Sequence, residues 1–142
     1  MTTLNITGAN DVNLVGTNIT KAVTVNNNGT GIFTTSGNYA AGSVINGSAT
    51  KANSFTVGTN EGVKYTGGSA NDTFAFGQAL LLADGTTDTT IVGGAGNDTL
   101  TLSDATAALT DTYFTNVFGF ENLTLTGTCL LYTSPSPRDQ RG

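Results

Sequence analysis

Gly93-Gly94-Ala95-Gly96-Asn97-Asp98-Thr99-Leu100-Thr101 and the earlier Gly67-Gly68-Ser69-Ala70-Asn71-Asp72-Thr73-Phe74-Ala75 are two copies of one nine-residue pattern. The earlier copy departs from it at Ala70, where the later one has Gly96. Glycine pairs reach backbone conformations closed to other residues, so each copy opens on a tight turn. Directly after each Asp the chain alternates, as Thr73-Phe74-Ala75-Phe76 and Thr99-Leu100-Thr101-Leu102. That is the period of a strand with one buried face. The unit is therefore a turn followed by a strand. A tight glycine turn can also aim successive carbonyls at one point, and Asp72 and Asp98 add carboxylates. Such an oxygen-rich set suits a hard cation such as calcium, although Gly-Gly and Asn-Asp clusters also serve a bare turn between strands.

Working outward, short apolar-alternating runs recur at 12–15, 22–25, 31–33, 43–45, 54–57, 63–65, 73–76, 90–92 and 99–102. They lie about ten residues apart, with Gly, Asn or Asp in nearly every gap. Both a meandering sandwich and a coiled parallel solenoid use such strands, and the glycine nonapeptides favour the solenoid. The expected fold is all-β, a parallel β-solenoid (β-roll or β-helix) with rungs of about twenty residues and two strands each. Residues 78–83 and 105–109 are rich in alanine and leucine and predict short helical insertions, the second capped by Asp104.

The two nonapeptides resemble the calcium-binding repeats of the repeats-in-toxin (RTX, haemolysin-type) family, whose turns stack on one edge of a parallel β-roll with calcium between them. The resemblance implies that Asp72 and Asp98 are carboxylate ligands of calcium. It implies also that the carbonyls of Gly67, Gly68, Ala70, Gly93, Gly94 and Gly96 complete the shells. Tandem repeats place same-side turns about two repeats apart, whereas residues 67 and 93 are separated by a segment containing Gln78-Ala79-Leu80-Leu81-Leu82. Whether Asp72 and Asp98 share one ion is therefore left open. The closing run Phe118-Gly119-Phe120-Glu121-Asn122-Leu123-Thr124-Leu125 is similar to strands of RTX-containing surface-layer and adhesin-like proteins, and Leu4-Asn5-Ile6-Thr7-Gly8 has the same cadence. Both are expected to turn Leu and Ile inward and Asn and Thr outward.

Charge narrows the function classes. The net charge is −5, and before residue 129 the only basic side chains are Lys21, Lys51 and Lys64. Nucleic acid and anionic membranes are disfavoured as partners and a cation is favoured. There is no histidine and no cysteine before residue 129, so a zinc site and a base-activated serine or cysteine nucleophile are not expected. Asp84, Asp88 and Lys64 could supply acid and base, but their spacing singles out nothing, and no catalytic residue is expected.

Residues 1–128 are expected to form one solenoid domain, a piece of a longer chain. Residues 129–142 hold both prolines, both arginines and the only cysteine, and resemble the translation of a transposon-end adaptor used in sequencing libraries. The expected function is a non-catalytic, calcium-stabilised structural module of a secreted or cell-surface bacterial protein, exported by an uncleaved C-terminal signal. Other copies of the protein or cell-surface polysaccharide are its expected partners beside calcium, without membrane insertion. The alternative is the calcium module of a secreted hydrolase or toxin whose catalytic domain lies elsewhere.

Overall fold

A strand with one apolar face is stable only when that face is covered, and the runs of this chain achieve this by stacking in parallel. The computed structural model describes residues 2–17, 19–82, 85, 87–104 and 108–126. In chain order the described strands are β1 (Thr2–Ile6), β2 (Val12–Gly16), β3 (Val23–Asn27), β4 (Phe33–Gly37), β5 (Val44–Asn46) and β6 (Asn53–Val57). They continue as β7 (Lys64–Gly68), β8 (Thr73–Phe76), β9 (Thr90–Gly94), β10 (Thr99–Leu102), β11 (Val117–Phe118) and β12 (Asn122–Leu125). The odd-numbered strands make one six-stranded sheet and the even-numbered strands another, each in sequential order. Every pairing is parallel. Each odd–even pair is thus one rung of a six-rung coil, the β-solenoid expected from the sequence.

The register brings like residues into columns. Phe55, Phe74 and Leu100 are successive partners in the even sheet, and Val25, Ile45, Tyr65 and Ile91 in the odd sheet. All seven are buried between the sheets. Phe55 sits centrally, stacked on Phe74 at 4.4 Å and edge-on to Phe33 at 6.0 Å and Tyr65 at 6.1 Å. These offset-stacked and T-shaped arrangements are the ones aromatic quadrupoles favour. Outside the odd sheet, the Asn26 amide donates to Asn5 at 3.0 Å and the Asn46 amide to Asn26 at 2.9 Å. Leu123 and Leu125 of the closing run are in register with Leu100 and Leu102, and Leu125 and Ile6 pack against the core as expected, but Leu123 and Leu4, on the outermost rungs, are exposed.

Equivalent residues of neighbouring rungs are 19 to 21 apart in the first half of the coil, and 26 and then 23 apart in the second. The extra length falls at the edge joining even to odd strands. One insertion contains a single 3₁₀ turn, Gln78–Leu81, which buries Leu80 and Leu81. In the other, where a helix is expected over 105–109, residues 105–107 lie outside the described set, Leu109 is an extended bridge residue, and a 3₁₀ turn falls at Asp111–Phe114. Asp104, expected as the cap, has its Oδ1 accepting the Gln78 N–H at 2.6 Å, tying one insertion to the rung before it. The run 129–142 also lies outside the described residues. No helix among the described residues is long and apolar enough to cross a membrane.

Truncating Phe55, which has no exposed surface, removes the central ring of the aromatic column. Phe55→Ala is expected to destabilise the coil by about 3–5 kcal/mol, as large aromatic deletions in cores do. Urea unfolding followed by circular dichroism checks this, and a loss under 1 kcal/mol would contradict the packing described.

Candidate metal site

The glycine turns lie on the edge where odd strands pass into even ones. Gly67 and Gly68 end β7, Gly93 and Gly94 end β9, and Gly68 is the partner of Gly94 in the parallel register. The interval of 26 residues is therefore one rung, lengthened at the opposite edge, and the two nonapeptide turns are direct neighbours. Their contact is close. The Ala95 N–H donates to the Gly68 carbonyl at 3.0 Å, and a Cβ on Gly94 would stand 2.1 Å from that same oxygen. Gly96, at φ +127°, leaves only 2.6 Å between its missing Cβ and the Ala70 carbonyl oxygen. A side chain at either position would push the rungs apart, which is the physical reason for glycine there. All eight residues expected to form the site are thus gathered on one edge.

Asp72 and Asp98 each stand immediately before an even strand, 1% and 0% exposed. Instead of pointing outward, their side chains serve the rung before them. Asp72 Oδ1 accepts the Asn53 N–H at 2.7 Å and the Asn53 side-chain amide at 2.8 Å. Asp98 Oδ1 accepts the Asp72 N–H at 2.7 Å. The column continues with Glu121, whose Oε2 accepts the Asp98 N–H at 2.7 Å. Four successive rungs thus stack Asn53, Asp72, Asp98 and Glu121, and among the described residues every hydrogen-bond partner of the three carboxylates is an uncharged N–H.

The second oxygen separates the two aspartates. Asp72 Oδ2 accepts the Gly68 N–H at 2.7 Å, as Asn53 Oδ1 accepts the Ser48 N–H at 2.7 Å one rung earlier. No donor reaches Asp98 Oδ2. With the Thr89 hydroxyl, it is one of two buried side-chain polar atoms without a hydrogen-bond partner among the described residues. Glycine at residue 93 lets two oxygens approach its backbone: a Cβ there would lie 2.7 Å from Asp98 Oδ2 and 2.0 Å from the Gly119 carbonyl oxygen. Among the described residues no three acidic side chains converge tightly enough to hold a metal ion by themselves. A cation here would need backbone carbonyls, as calcium sites commonly use. On this test Asp98 fits a cation ligand, with a bare oxygen in a glycine-lined space, while Asp72 already spends both oxygens on N–H donors.

Burial raises the pKa of Asp98 above the ordinary carboxylate value; the Asp72 N–H opposes the shift, and the negative charges of Asp72 and Glu121 add to it. Burial likewise raises Asp72, against the hydrogen bonds from Asn53 and Gly68. Both shifts express the cost of placing carboxylates in a column without a positive partner.

Asn53, Gly119 and Glu121 belong to this edge but were not singled out in the sequence. The available signal was positional: Glu121 precedes Asn122-Leu123-Thr124-Leu125 as Asp98 precedes Thr99-Leu100-Thr101-Leu102. Of the groups considered for acid–base chemistry, two lie among the described residues. Lys64 is exposed on β7, Asp88 takes the Gly85 N–H and the Asn116 amide, each at 3.3 Å, and Asp84 lies outside the described residues. Comparison with protein-family models, with curated proteins and with solved structures gives no match.

A carboxylate whose folded pKa is raised binds its proton more tightly in the coil than in the unfolded chain. Stability is then highest below the unfolded value of about 3.9 and falls as pH rises through the folded values. In chelator, the melting temperature is expected to rise as pH is lowered from 7 toward about 4. Asp98→Asn should flatten that dependence, and a wild-type melting temperature that instead falls steadily across the interval would contradict it.

Proposed function

We propose that this chain is a calcium-stabilised structural module of a secreted or cell-surface protein, a non-catalytic β-solenoid akin to RTX repeats. The observation that carries the reading is the anionic column: Asp72, Asp98 and Glu121 stack on successive rungs of one edge, and none of their hydrogen-bond partners is a basic side chain. Like charges held this way destabilise the folded coil until something neutralises them, and a divalent cation does so with ligands the turns already hold. Where calcium is scarce the glycine turns stay loose; where it is abundant the ion binds the folded state alone and so favours folding. This coupling suits a protein that crosses a membrane unfolded and works outside the cell. The resemblance of both nonapeptides to RTX repeats supports the same reading.

The expected affinity is that of extracellular calcium modules, with a dissociation constant of about 0.1–1 mM. At 10 mM calcium each site would then stabilise the coil by about 1.4–2.7 kcal/mol. Thermal melts and far-ultraviolet circular dichroism in chelator, in calcium and in magnesium test this. Calcium is expected to raise the melting temperature and magnesium to raise it much less. Superimposable melts in chelator and calcium would remove calcium from the account.

A further inference from the structure

The two nonapeptides direct attention to the junction between their own turns, yet the bare oxygen lies one junction further along. There Asp98 Oδ2, on a side chain with no exposed surface, has no hydrogen-bond partner. The Gly119 carbonyl oxygen shares the space left by the missing side chain of Gly93, each oxygen standing within 2.7 Å of the point a Cβ there would occupy. Two oxygens so placed are within the span of two calcium–oxygen bonds of about 2.3–2.6 Å each. Glu121 brings a second carboxylate to the junction, seated by its bond from the Asp98 N–H. A cleft of about 310 Å³, mostly apolar and lined by Leu100, Phe114 and Phe120 among others, reaches Gly119 and Glu121 on the far side of this junction.

The preceding junction has the same oxygen pair: a Cβ on Gly67 would stand 2.3 Å from both Asp72 Oδ2 and the Gly93 carbonyl oxygen. What differs is the donor, because the Gly68 N–H occupies Asp72 Oδ2. An oxygen that already accepts a backbone N–H at 2.7 Å has to give up that bond to meet an ion, whereas Asp98 Oδ2 gives up nothing.

We infer that the cation binds between the fifth and sixth rungs, held by Asp98 Oδ2, the Gly119 carbonyl and the Glu121 carboxylate with water, and that Asp72 is a lock between rungs and no ligand. The inference rests on the calcium reading above and assigns its site. It enlists Gly119 and Glu121 from a turn that does not follow the nonapeptide pattern. It also gives the ion a mechanical role: it adds to the β11–β9 and β10–β12 pairings, and to the bonds from Glu121 and Asn122 to the Asp98 carbonyl and from the Asp98 N–H to Glu121, in pinning the last rung to the one before it.

Calorimetric calcium titration of the full chain, with hydrogen exchange read by peptide, tests the assignment. In the wild type, calcium at ten times its dissociation constant is expected to slow exchange about tenfold over residues 93–104 and 116–126, with little change over residues 53–76. Asp98→Asn keeps an acceptor for the Asp72 N–H and places an amide donor beside the Gly119 carbonyl. It should therefore fold in chelator and lose calcium binding at least tenfold. Glu121→Gln should weaken binding severalfold, while Asp72→Asn should lower stability equally with and without calcium and leave the affinity unchanged. Protection centred on residues 67–80, or undiminished binding by Asp98→Asn, would overturn the assignment while leaving calcium in place. Absence of any calcium heat in the wild type would overturn the calcium reading itself.

Discussion

The coil depends on what happens to the backbone N–H that leaves each glycine turn and enters an even strand. Within the sheets the parallel ladder satisfies the peptide groups, but at the turn edge the chain changes direction and the ladder lapses. A buried N–H left there without an acceptor costs about 1–3 kcal/mol. The solution is a side-chain acceptor from the following rung: Asp72 for Asn53, Asp98 for Asp72 and Glu121 for Asp98. Glycine at residues 47, 67 and 93 follows from that choice, because a Cβ at each would collide with the Asn53, Asp72 or Asp98 side chain. Registry, glycine pattern and the column of side-chain acceptors are three expressions of one hydrogen-bonding requirement.

Carboxylates answer the requirement well geometrically and poorly electrostatically. Each accepts strong, short bonds from N–H groups, but they repel one another across successive rungs, and two of them, Asp72 and Asp98, are out of reach of solvent. Asn53 occupies the same slot without charge and bonds the Ser48 N–H as Asp72 bonds that of Gly68, so the fold does not demand an acid there. The acids at the next three rungs add something the backbone does not need, and the proposed cation would give that addition a purpose.

The alternation after Asp72 and Asp98 carried the architecture, since a turn followed by a half-buried strand has few ways to bury its face other than by stacking. The gathering of the nonapeptides on one edge was legible too, but their adjacency was not. The 26-residue interval reads as an interruption until the insertion around Gln78–Leu81 is seen to bulge from the opposite edge, leaving the register of Gly68 and Gly94 intact. The helix expected over 105–109 rested on alanine and leucine content and a cap at Asp104; residues 105–107 lie outside the described set, and Leu109 is extended. Asp104 looked like a helix cap because a lone Asp before alanines has that signature, yet the neighbouring rung offered its side chain the Gln78 N–H. Glu121 escaped notice because glutamate is not the nonapeptide residue; its longer side chain fills the same slot.

The acceptor column also makes the two ends of the coil unlike. Toward β1 its positions are taken by Phe33 and Val12, with a lone acid, Asp11, one residue earlier on the same edge, and toward β12 it carries an acid on every rung. Peeling strands from the β12 end removes the exposed Glu121 and then returns Asp98 and Asp72 to water, each step relieving repulsion among those that remain. Peeling from the β1 end frees Asp11 alone and reaches no stacked pair of acids until Asp72. Dissolved salt and counter-ions therefore act more strongly on the fraying of one end than of the other, so the coil has a direction in which it comes undone.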